Sequence, residues 1–244
     1  MEGLEKSIKE KGSCLCIGLD IESRLIGYHD PLEWCLDIIL KTHQWCILYK
    51  INLAFFELCG IDPKVVINYC HKLGVKVIID GKRGDIGNTS EVYKKVIYDK
   101  WFADGATLNP YMGYDSLKPF LDIEDKFSII LGLTSNESEF QRLKLEDGLE
   151  LWEKIIIESS KWERNSDLWY VMGANKLKEI NHLRSKGIDN YFLVPGVGHQ
   201  GGDLERVLDV SGGKVIINMS RSLIYSSDIE TSVKDQVSKM KGYV

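Results

Sequence analysis

Along its length this chain alternates short β-branched runs with segments of helical period, and it does so eight times. Strands are predicted at 14–19, 46–51, 75–79, 106–108, 127–131, 169–172, 191–194 and 215–217. The helices between and after them are predicted at 31–43, 62–73, 87–102, 116–121, 147–162, 176–186, 203–208 and 228–240. Runs such as VKVIID and FSIILGL are apolar at consecutive positions, as parallel strands covered on both faces require. Pro31 and Pro63 stand early in helices, and Gly74 and Gly187 close them. No linker or composition shift divides the chain. Eight such units in one stretch predict a single (β/α)8 barrel of the TIM type, one domain over residues 1–244.

Composition narrows the partners. Thirty-one Lys and Arg against 36 Asp and Glu leave a net charge of −5, with no dense basic stripe, which argues against a polymeric nucleic acid. A small anion remains open, because a few converging cations and backbone N–H groups outweigh a diffuse surface charge. Cys14, Cys16, Cys35, Cys46, Cys59 and Cys70 fall mostly in apolar runs without a CxxC pair, so they read as buried thiols. The charged N-terminus has no signal-peptide character, and no apolar segment is long enough to span a membrane; a cytoplasmic protein is expected. The five histidines are scattered without metal-ligand spacing, and no metal site is expected.

In a barrel, chemistry gathers at the C-terminal ends of the strands. Those ends carry Asp20, Lys50-Ile-Asn52, Asp80-Gly-Lys82, Asn109, Thr134-Ser135, Gly173, Pro195-Gly196 and Ser220-Arg221, which suggests an enzyme. Strand alternation points Asp80 and Lys82 together into the mouth. An alternating chain Lys50–Asp80–Lys82–Asp85 would keep Lys82 charged as a proton donor, although an acid and a base here could also be an ion pair that only caps the barrel. The loop after strand seven holds Gly196, Gly198, Gly201 and Gly202. Alone these glycines suit an ordinary long turn. With Gln200 among them, Arg221 after the next strand and a helix start near Ser222, they suit a phosphate cup.

The stretch Asp80-Gly-Lys82-Arg-Gly-Asp85-Ile86-Gly-Asn-Thr89 resembles the hallmark of the orotidine 5′-monophosphate decarboxylase family, in the subgroup with DxKRxDIxxT. Leu19-Asp20, Lys50-Ile-Asn52, Thr134-Ser135-Asn136, the Pro195–Gly202 loop and Ser220-Arg221 resemble the family's other motifs in order, over about residues 14 to 225. The resemblance implies decarboxylation of orotidine 5′-monophosphate to UMP, the last step of pyrimidine nucleotide synthesis, with no cofactor and no metal. It implies Lys82 as the donor of a proton to C6 and Asp80 as the carboxylate facing the substrate carboxylate. Asp85 and Thr89 would reach into the partner's site of a homodimer, with Ile86 between them in the same motif as a further substrate-binding position. Asp20 and Lys50 would hold the ribose, with Asn52 beside ribose and phosphate. Ser135 would read the pyrimidine edge, Gln200 would bridge phosphate and base, and Pro195, Gly201, Ser220 and Arg221 would surround the phosphate.

Two positions depart from the family pattern. Glu137 follows Asn136 where the subgroup has Pro, which alters the pyrimidine loop, and Ser220 stands where the wider family often has Gly. Two other readings compete. One is a Mg²⁺-dependent DxKxxD barrel, a 3-keto-6-phosphogulonate decarboxylase or hexulose-phosphate synthase; Lys50-Ile-Asn52, where such barrels tend to carry an acid, argues against it. The other is a non-catalytic phosphate-binding barrel, which has no need of alternating charges in its pocket.

Overall fold

The computed structural model describes residues 2–198 and 202–244. Eight parallel strands close on themselves in sequence order: β1 (Leu15–Gly18), β2 (Leu48–Asn52), β3 (Lys76–Arg83), β4 (Gly105–Leu108), β5 (Phe127–Leu133), β6 (Asp167–Met172), β7 (Phe192–Pro195) and β8 (Val215–Met219). The ring is completed by β1 against β8, with Cys16 opposite Asn218. Helices α2 (Pro31–Thr42), α4 (Pro63–Lys72), α5 (Gly87–Lys94), α6 (Tyr114–Leu121), α7 (Leu151–Ser159), α8 (Leu177–Ser185), α9 (Leu204–Ser211), the short α10 (Arg221–Ile224) and α11 (Ile229–Met240) return the chain between strands or cover it after the last one. Several starts are written locally: Asp30, Asp62, Asp203 and Asp228 accept hydrogen bonds from first-turn N–H groups, and Pro31 and Pro63 sit where the missing N–H costs nothing.

Strand alternation sorts the apolar residues into two bodies. Ile17, Tyr49, Ile51, Val77, Ile79, Tyr170, Val194 and Ile217 face the helices. Cys16, Leu48, Ile78, Ile129, Trp169, Leu193 and Ile216 fill the interior, so the barrel is a packed core and not a pore. At its floor, Leu4 and Ile8 of α1 (Glu2–Lys11) join this interior cluster with Ile47. Five of the six thiols are buried and all are unpaired, as small hydrophobes would be.

Three elements depart from the sequence expectation. The chain between β2 and α4 forms an extra helix, α3 (Leu53–Cys59), capped by Asn52 and closed by Gly60 in the left-handed region. The helix expected over 87–102 is α5 followed by a π-helical segment, Lys95–Lys100. Most consequential is β3, which continues four residues past Ile79 through a bulge: Ile79 pairs with Ala106, and the ladder resumes only at Arg83 with Leu108. Polar residues there looked like loop, but a bulge keeps the backbone in the sheet while re-aiming side chains.

Candidate active site

A cavity of about 360 Å³ opens at the C-terminal end of the barrel, within the range of a small-molecule site. Its floor is aliphatic, with Leu131, Val171 and Leu193, and its walls are polar. Asp20, Lys50, Asn52, Asp80, Lys82, Ser135, Pro195, Ser220 and Arg221, nine of the positions singled out from sequence, all line it. Gln200 and Gly201 lie outside the described residues.

The wall formed by β2, β3 and β4 carries the charge. Lys50 Nζ donates to Asp80 Oδ2 at 2.9 Å, and Lys82 Nζ donates to Asp80 Oδ1 at 2.7 Å. Asp20 approaches Lys50 at 3.8 Å from β1's end. The Lys50 side chain is 7% exposed and that of Asp80 11%, whereas that of Lys82 is 51% exposed and reaches open space. Burial pushes the Asp80 carboxyl up, but Lys50 and then Lys82 outweigh it and hold the acid well below the usual carboxylate range. Burial likewise disfavours charge on Lys50; Asp80 and Asp20 reverse this and hold its ammonium above the ordinary lysine range. Asp80 and Lys50 are therefore both ionised at neutral pH.

Sequence reasoning missed three contributors. Thr107 donates to Asp80 Oδ1 at 2.9 Å and accepts from the Lys82 backbone N–H at 2.9 Å. Asn218, inside the run VIINM, lines the cavity from β8 with its Oδ1 buried and without a hydrogen-bond partner. Glu22 lies 3.8 Å from Arg221 Nη1 and also accepts from Arg24. For Thr107 and Asn218 the signal was available: a polar residue at an inward position of an otherwise apolar strand. Asn109, by contrast, spends its side chain capping the turn at Tyr111.

The opposite wall is made of loops. Gln141 donates to Thr134 Oγ1 and accepts from its backbone N–H, and Asn175 donates to the Ser135 carbonyl, so the loop after β5 is tied to the loop after β6. Gly173 permits this contact: a Cβ there would meet Ser135 Cα at 2.7 Å. Glu137 turns outward toward Lys176 at 3.8 Å. In the loop after β7, Gly196 and Gly198 adopt φ of 99° and 80°, open to glycine, and the Gly198 N–H donates to the Gly202 carbonyl. Ser220 Oγ donates to the Gly18 carbonyl, joining β8's end to β1's.

Asp85, Ile86 and Thr89 do not join this cavity. Asp85 accepts from the Ile86 N–H, Ile86 is 61% exposed at the start of α5, and Thr89 is exposed on that helix.

Residues 13–236 match the model of the orotidine 5′-phosphate decarboxylase / HUMPS family. A curated orotidine 5′-phosphate decarboxylase of Christiangramia forsetii is 43% identical over 242 residues, covering 92% of this chain and 89% of the relative. Among solved structures, Leishmania donovani OMP decarboxylase superposes with a TM-score of 0.87 at 30% identity, over 99% of this chain and 97% of that one. Leishmania donovani UMP synthase superposes with a TM-score of 0.89 at 31% identity, and this chain spans 56% of its length.

Proposed function

The chain belongs to the orotidine 5′-phosphate decarboxylase / HUMPS family, and on that premise we propose that it removes CO2 from orotidine 5′-monophosphate to leave UMP, with Lys82 as the proton donor. It is a carboxy-lyase of pyrimidine biosynthesis. The observation that carries the residue assignment is the largely buried Asp80 held between Lys50 and Lys82 in the barrel mouth.

The chemistry follows from that arrangement. Breaking the bond between C6 and the carboxylate leaves an electron pair on a ring carbon with no adjacent sink. Stabilising it is therefore a task for charge already in place. The Asp80 carboxylate, ionised and fixed, disfavours a second carboxylate beside it and so favours departure of CO2. The Lys82 ammonium attracts the pair developing at C6 and then transfers one N–H proton to it. The resulting amine, half open to water, regains a proton from solvent. Arg221 at the rim, together with Gln200 and Gly201, binds the phosphate, and Pro195 and Ser220 complete that end. Asp20, Lys50 and Asn52 hold the ribose, and Ser135 reads the base. Binding energy at the phosphate holds the reacting carbon against Lys82.

We place Asp85 and Thr89 in the site of a second copy, making the enzyme a homodimer with shared sites. Their position outside this chain's cavity supports it, as do exposed apolar side chains nearby, Ile86, Val92, Tyr111 and Met112. Six unpaired thiols support a reducing, cytoplasmic setting. The test is CO2 release from orotidine 5′-monophosphate with EDTA present. Sustained turnover is expected; activity only on sugar phosphates and only with metal would overturn the reading. Mixed dimers of Asp85→Ala with Lys82→Ala should regain activity, because one of their two sites keeps both residues. Verified hybrids that stay inactive would refute shared sites.

A further inference from the structure

Lys82 is one of three non-glycine residues in the described chain with positive φ, at 46°. That backbone is strained for a side-chain-bearing residue and persists only where its surroundings hold it. The β3 bulge places Lys82 between the last regular pair, Ile79 with Ala106, and the resumed pair, Arg83 with Leu108. Its N–H therefore has no ladder carbonyl to meet, and Thr107 Oγ1 accepts it at 2.9 Å. Accepting that bond leaves the hydroxyl hydrogen free to point elsewhere, and it points at Asp80 Oδ1, 2.9 Å away. The same oxygen accepts from Lys82 Nζ at 2.7 Å. A closed ring results: the lysine's backbone and its ammonium are both anchored on Asp80, one through Thr107 and the other directly.

We propose that Thr107 is a positioning residue for the decarboxylation, fixing Asp80 and Lys82 relative to each other through its single hydroxyl. The proposal rests on the reading of the site given above. Thr107 is 2% exposed and pairs across the sheet with Ile129, at a level of the barrel where its neighbours are aliphatic. Other buried hydroxyls here serve the scaffold: Ser90 donates to the Ser116 carbonyl, Ser128 to the Phe120 carbonyl and Ser211 to the Val207 carbonyl. Thr107 instead donates to a carboxylate in the cavity. Without it the bulge would still be bracketed by its two pairs, but the lysine N–H would be unpaired and Asp80 could rotate about the remaining lysine contacts. Small displacements of a proton donor weigh heavily on rate and little on binding of the remote phosphate.

The experiment compares Thr107→Val, which keeps the shape and removes the hydroxyl, with Thr107→Ser, which keeps the hydroxyl. In Thr107→Val, kcat for orotidine 5′-monophosphate should fall about 10- to 100-fold, with Kd for UMP within about threefold of wild type. Thr107→Ser should recover most of the lost kcat. Unchanged kcat in Thr107→Val, a UMP affinity that weakens in step with kcat/KM, or a serine variant no better than valine would each overturn the proposal. Should the valine variant not fold, as judged by its thermal transition, Thr107→Ala read against Thr107→Ser carries the same comparison. Wild-type enzyme that releases no CO2 would sink the functional reading along with this one. A wild type that turns over beside an unaltered Thr107→Val would sink this one alone.

Discussion

Two largely buried aspartates, one on β3 and one beside β4, make an instructive pair. Asp80 sits in the upper part of β3, and Asp104 just before β4, at the opposite end of the barrel. Asp104 accepts from the Val77 N–H and is bonded to His71 Nε2, both at 2.8 Å, with Lys76 at 3.5 Å. Burial pushes its carboxyl up, and the His71 and Val77 hydrogen bonds outweigh that, so it too stands below the usual carboxylate range. Electrostatically the two resemble each other. They differ in what they face: Asp80 borders the cavity, while Asp104 ties α4 and β3 to the start of β4. A perturbed acid marks a place where charge is held tightly, and only the open space beside it tells whether it is there to act.

Substitutions around the two acids break this comparison in decreasing order of effect. Lys82→Ala should lower kcat by roughly 10³-fold or more while unfolding stability moves by no more than about 0.5 kcal/mol. Steady-state kinetics and a denaturant titration check both halves, and retained turnover would remove Lys82 from the donor role. Arg221→Ala, on the loop side of the same cavity, should raise KM about 10- to 100-fold with kcat changed far less. A loss confined to kcat would move Arg221 from binding to chemistry. Asp104→Asn should act in the opposite way, reducing stability by about 1–3 kcal/mol and leaving kcat of the folded enzyme alone. Its acid limb gives a second check. The folded carboxyl lies below its unfolded value of about 3.9, so the unfolded state takes up a proton first as pH falls, and stability declines through that window. Removing the carboxyl should flatten that decline.

The sheet was legible because parallel strands covered on both faces leave uninterrupted apolar runs, and FSIILGL or VKVIID admits no other comfortable place. What escaped was held by backbone. The second half of β3 is polar, and its membership of the sheet comes from pairing through a bulge, which no side-chain pattern records. Helix α3 had its signals, Asn52 and Gly60, but its two turns were hidden in a stretch read as connection. The charged residues that line the cavity were found because each follows an apolar run and matches a motif in order. Thr107 and Asn218 were passed over because they lie within strands, where a single polar residue looks like noise until the inward phase is tracked. Glu22 acts on Arg221 across two strand ends that are far apart in the chain, a relation that only folding creates.

With Leu4, Ile8 and Ile47 plugging the far end, the barrel is a flask rather than a pipe. Reactant in, gas out and nucleotide out must all share one doorway. Any lid drawn over that neck to shield the reaction therefore also detains its products, and turnover is bounded by how soon the neck reopens.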